Sequence, residues 1–137
     1  MRGGASPGVR VVNNVVVLDQ TESVRLESER LGSLYRQMGP EDADDVVGRA
    51  AEELALRLSH CETQWRQKDA QGFRKSARSL VAIADQIGML KLARVAGDVT
   101  ACIDRDDAVA TAATLARLLR VGETSLSAVW DLQDVTL

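Results

Sequence analysis

A chain of 137 residues, 45% of them hydrophobic, is long enough for one domain to bury a core without metals or cross-links. Aromatic residues at 3% leave that core to Leu, Val, Ala and Ile, which suit interlocking helices better than a β-sandwich. A net charge of −3 argues against a general nucleic-acid binder.

In chain order, the Gly-rich start with Pro7 reads as a leader. Val9 to Leu18 is β-branched, split by Asn13 and Asn14. It is too short and too interrupted for a signal peptide or a membrane span. A short hairpin is one reading of it. An isolated hairpin is marginal in water, so residues 1–18 are expected as a flexible or extended arm, its Val9 to Leu18 part lying on the bundle with Val15 to Leu18 in a groove. A first helix starts at Asp19 or Thr21, both good N-caps. It carries Val24, Leu31, Leu34, Tyr35 and Met38 on its apolar side and stops at Gly39-Pro40.

Glu41, Asp42, Asp44 and Asp45 then place negative charge at the positive end of a second helix. That helix runs to about Gln67 on the stripe Val47, Ala50, Ala51, Leu54, Leu58, Cys61 and Trp65. Asp69 is the expected cap of a third helix over about 70–87, with Phe73, Ala77, Leu80, Ala84 and Ile87 in one line. Gly88 follows, where a helix ends on a left-handed residue. The fourth helix, about 89–103, carries Leu92, Val95, Ala96 and Val99. After the polar turn from Asp104 to Asp107, a fifth carries Val109, Ala112, Ala113, Ala116, Leu119, Leu126 and Val129 to about Leu132, with Gly122 interrupting it as a place where the helix can bend. Connections this short force antiparallel neighbours. The expected fold is all-α: residues 19–137 form an antiparallel up-down four-helix bundle of helices two to five, with the first helix over one end or side.

Charge is unevenly placed. Seven basic residues against two acidic ones between Arg66 and Arg94 give a local +5, which leaves −8 on the rest. A basic field on an acidic protein steers an acidic partner surface. Cys61 and Cys102 lack metal or redox spacing and read as small buried hydrophobes in a reducing, cytoplasmic compartment, not as a disulfide. No spacing suggests a metal site, a cofactor, paired catalytic carboxylates or a nucleophile with its base.

The stretch from Phe73 to Thr100 resembles the histidine-containing phosphotransfer (HPt) domain of bacterial phosphorelays. That family reads roughly A-H-x-L-K-G-x-A-x-x-[IL]-G and then x-x-x-L-x-x-L-x-x-x-L. Ala77, Leu80, Ala84, Ile87, Gly88, Leu92, Val95 and Val99 fall in register without a gap. The family's phosphoacceptor histidine, however, aligns with Arg78, its lysine with Val81 and its small glycine with Ala82. The resemblance implies an HPt-like bundle in which the scaffold is kept and the chemistry is missing.

A phosphoacceptor needs a nitrogen lone pair, which a permanently protonated guanidinium lacks, so transfer through Arg78 is excluded. Arginine can instead pair with carboxylates in two-pronged fashion. The reading is therefore a non-catalytic HPt-like module, not an enzyme. It would bind a response-regulator receiver or a histidine kinase through helices three and four, using Arg74, Lys75, Arg78, Val81, Ala82, Asp85 and Arg94. Against this stands an ordinary solvated helix face. Two alternatives are kept: active phosphotransfer through the single histidine, His60, expected on the exposed side of its helix, and a structural bundle that self-associates as a homodimer. Trp65 and Trp130 either pack together, cover a bundle end or anchor a partner. Nucleic-acid and membrane partners are not expected.

Overall fold

A computed structural model describes residues 27–136. The expected arm over 1–18, the helix start at Asp19 or Thr21 and Val24 lie outside the described residues. Five helices follow one another: α1 (27–38), α2 (Pro40–Arg66), α3 (Ala70–Gln86), α4 (Leu90–Asp104) and α5 (Ala108–Thr136). Each of α2 to α5 packs on its chain neighbours, and α5 closes the ring on α2. Helices joined by such short links run up and down in turn, giving an all-helical bundle. Among the described residues no helix is long and apolar enough to cross a membrane.

The core is the set of stripes that the spacing predicts for α2, α3 and α4. Val47, Ala51, Leu54 and Cys61, then Ala77, Leu80 and Ala84, then Leu92, Ala96 and Val99, are all fully buried. Phe73 fills the end near α2, where Trp65 meets it edge-on with ring centroids 5.9 Å apart; Trp130 is 45% exposed. Cys61 and Cys102 are buried and free.

Three helix ends share one geometry. Lys68, Gly88 and Asp106 each take a left-handed backbone, with φ of 59°, 80° and 55°. In each, the amide of the following residue donates back to a carbonyl five residues earlier: Asp69 to Gln64 (2.9 Å), Met89 to Ala84 (2.8 Å) and Asp107 to Cys102 (3.3 Å). This paired closure satisfies the last carbonyls of a helix. Asp69 then accepts from the Gly72 amide (2.9 Å) and Asp107 from the Ala110 amide (3.0 Å), so the residue after each turn already caps the next helix.

The fourth helix has Met89 at its cap and therefore no side-chain acceptor of its own. Glu27 supplies one from α1, its Oε2 accepting from the Lys91 amide at 3.0 Å. One turn on, Arg30 donates from Nη2 to the Asp85 carbonyl at 3.3 Å, near the end of α3. An anion thus meets a helix start and a cation a helix end, the favourable sense for both dipoles. A side chain at Gly88 would collide with Arg30 Cβ at 2.7 Å. Farther along α1, Tyr35 donates to Asp44 Oδ1 (2.5 Å), while Gln133 of α5 donates to the Asp44 carbonyl (3.1 Å). The first helix therefore covers the end of the bundle where α2 and α4 start and α3 and α5 finish.

Three expectations need correction. Val109 is 82% exposed, and Ala112, Ala113 and Ala116 also face outward. The buried line of α5 is Thr111, Leu115, Leu118 and Gly122, continued by Leu126 and Val129 as expected. Two stripes compete on this helix, and a threonine and a glycine disguise the one that enters the core. Second, Gly122 does not end or divide α5, and its missing side chain is needed for packing: a Cβ there would lie 2.5 Å from Leu58 Cδ1. Third, Met38 at the end of α1 is 36% exposed instead of lying on the apolar side.

Two outcomes follow for stability. Gly122→Val forces a branched side chain onto the buried Leu58 and should destabilise by about 1–3 kcal/mol. In urea unfolding, adding Leu58→Ala should cost less in that background than in the parent; strict additivity would refute the contact. Burial, with the Asp44 hydrogen bond and charge, pushes the Tyr35 phenol up from 10.0 to about 12, against a smaller opposing effect of Gln133. Burial likewise pushes the Cys61 thiol up from 9.0 to about 12, partly offset by Arg57. Both groups keep their protons to higher pH when folded, so their stabilisation is complete below the unfolded values and is lost as pH rises from about 9 toward 12. The urea midpoint should fall through that window, and less steeply in Tyr35→Phe; an unchanged alkaline slope would absolve the phenol.

Candidate functional site

The residues that the sequence nominates fall on neighbouring helices, α3 and α4, but not all of them face outward. On α3, Lys75, Arg78, Ala82 and Asp85 are exposed and succeed one another at intervals of three and four, one stripe opposite the buried Ala77, Leu80 and Ala84. Arg94 is exposed on α4. Arg78 stands mid-stripe, and no ion pair ties it to a neighbour among the described residues. Ala82, one turn on, keeps the helix surface low beside it.

Two nominees sit on the flank of α3 that faces α4. Arg74 Nε lies 2.8 Å from Asp104 Oδ1 near the end of α4, in an ion pair not aligned as a hydrogen bond. With both side chains nearly half exposed, water screens that pair. Arg74 thus faces a carboxylate of the bundle itself, which Arg78 does not among the described residues. Val81, two turns later on the same flank, is only partly exposed and packs against the core, whereas an exposed valine was expected.

His60 is also partly buried instead of exposed. Its stretch of α2 is joined to α3 through Gln64: Ser76 Oγ is 2.8 Å from the Gln64 carboxamide, whose nitrogen faces the carbonyls of His60 (3.0 Å) and Gly72 (3.1 Å). That link closes the α2–α3 flank and holds Ser76 as a buried, satisfied hydroxyl.

Sequence reasoning missed Glu27, which secures the start of α4 and so the register of Lys91 and Arg94 beside α3. Nothing local announces a contact across 64 positions of sequence. Among the described residues, no cluster of His, Cys, Asp and Glu has the makeup of a metal site. What the face can do is electrostatic: Lys75 and Arg78 present donors and positive charge on a rigid helix, suited to carboxylates on another surface. No family model, curated protein or solved structure matches this chain.

Because Arg78 is exposed and has no ion pair among the described residues, Arg78→Glu should shift stability by less than about 0.5 kcal/mol. Thermal unfolding checks this. A fall in Tm beyond about 4 °C would mean that the guanidinium makes a structural contact.

Proposed function

We propose that the protein is a non-catalytic, HPt-like signalling module that docks its α3–α4 face on the acidic surface of a response-regulator receiver or a histidine kinase. The observation that carries this reading is the exposed guanidinium of Arg78, without an ion pair among the described residues, in the middle of the outer stripe of α3, at the position where the resemblance puts a phosphoacceptor histidine. Lys75 lies on the same stripe and Arg94 on the adjacent helix, and Ala82 leaves room for close approach. The bundle of α2 to α5 with a helix over one end suits the same reading.

The module transfers no phosphoryl group, since arginine offers no lone pair at neutral pH. It occupies a surface that a phosphotransfer protein would use, and acts as a competitor or a scaffold. Asp85 at the edge of the stripe favours a partner with a cation next to its acidic pocket. The alternative through His60 has less support, because a phosphoacceptor must reach a partner's aspartyl phosphate and this histidine is partly buried on α2.

The test is binding of the intact protein to purified receiver domains and kinases from the same cell, at low and at physiological salt. One or two partners should bind, more weakly as salt rises, and Arg78→Glu should weaken them at least about tenfold. Binding that ignores both salt and the substitution would sink the proposal, as would acid-labile phosphate lost only in His60→Ala.

A further inference from the structure

The opposite side of the bundle has a different chemistry. Between α2 and α5 runs a groove of about 380 Å³ lined by Ala55, Leu58, Leu119, Leu126 and Trp130, with Glu62 and Glu123 at its rims. Its floor is apolar, and Trp130 stands at one end 45% exposed. Along α5 the same line continues through the outward-facing Ala116 and Ala112, the stripe left over when the core took the other side of the helix. From Ala112 to Trp130 is 18 positions, roughly 27 Å at the 1.5 Å helical rise, the length of a five-turn helix.

The charged residues that line the groove are both acidic. Glu62 and Glu123 line the groove, and helical spacing puts the exposed Glu52 one turn before Ala55 and the exposed Asp134 one turn after Trp130. The cation nearest to Glu62 is Arg66, already its partner at 4.0 Å. An apolar trough with acidic margins is complementary to a helix that is apolar on one side and basic on its flanks.

We infer that the α2–α5 groove is a docking site for a basic amphipathic helix of a partner protein, with Trp130 as its aromatic anchor. The site is separate from the proposed α3–α4 face, since α2–α5 and α3–α4 are opposite sides of the ring of helices. Occupancy of one does not require the other. A chain with both would join an acidic surface on one side to a basic helix on the other.

The probe is an 18-residue Leu/Lys peptide with leucines at helical spacing, compared with a scrambled peptide of the same composition and with a Leu/Glu counterpart. Trp65→Phe in the full chain leaves Trp130 as the sole tryptophan reporter. The amphipathic Leu/Lys peptide should bind one to one and shift Trp130 emission to the blue. The scrambled and acidic peptides should bind at least about tenfold more weakly. Glu123→Lys, on an exposed position, should weaken binding at least about tenfold, and so should Trp130→Ala read by calorimetry, while Arg78→Glu leaves it unchanged. Equal affinity for the scrambled peptide, no response of Trp130, or indifference to Glu123→Lys would overturn the inference. So would a doubled mass in light scattering with the groove closed to the peptide, which would make a second copy of the chain the occupant. Loss of receiver binding alone, with peptide binding intact, would count against the α3–α4 reading only.

Discussion

The architecture depends on three helix connections with no slack. Gln67-Lys68-Asp69, Ile87-Gly88-Met89 and Arg105-Asp106-Asp107 each consist of the end cap of one helix, a single left-handed residue and the start cap of the next. With nothing left to flex, a connection fixes both the reversal of direction and the rotational phase of the helix that follows. Two of the three left-handed residues are not glycine, at about 1–2 kcal/mol of backbone strain each. That strain is borne because each turn closes the carbonyls of the helix behind it, and Asp69 and Asp107 cap the helix ahead. Gly88 is pressed by another element, and there a side chain would strike Arg30.

Phase fixed by the turns determines which residues reach the surface. Once Ala77, Leu80 and Ala84 point inward, the stripe of Lys75, Arg78 and Ala82 must point out, and Arg74 and Val81 must turn toward α4. Thr111, Leu115, Leu118 and Gly122 going inward likewise strand Val109, Ala112 and Ala116 outside. The distribution of charge follows the same division. The Arg66–Arg94 segment carries the basic excess on and around α3, whereas the rims of the α2–α5 groove are acidic. The exposed basic side chains of α3 and the acidic lining of the α2–α5 groove thus lie on opposite sides of one small bundle.

The first helix works on the end of the bundle rather than in its core. Its Leu31, Leu34 and Tyr35 are only partly buried, and its polar contacts are the specific ones. Glu27 replaces the cap that Met89 cannot provide, Arg30 answers the carbonyl end of α3, and Tyr35 holds Asp44 while Gln133 reaches the same residue's carbonyl from α5. Helix ends leave unpaired amides and carbonyls, and one crossing helix with charges of the right sign serves several of them together.

By itself the sequence determined the helices and most of their ends. Regular spacing on α2, α3 and α4 identified the core because each carries a single apolar line, and Gly88 and Asp69 marked turn and cap through local backbone chemistry. It also singled out Arg78, through the resemblance that puts a histidine at that position and through its place off the apolar line of α3. Tertiary structure decided the rest. On α5 two apolar lines exist, and the one that goes inside is the one that lays Gly122 against Leu58. His60, Arg74 and Val81 looked available on a lone helix, yet they lie on flanks that a neighbouring helix covers or pairs. Glu27 reaches Lys91 across 64 positions, and the α2–α5 groove joins side chains from the two ends of the bundle's sequence. Periodicity within a helix reports which side is apolar; which apolar side is buried depends on the shape of its neighbour.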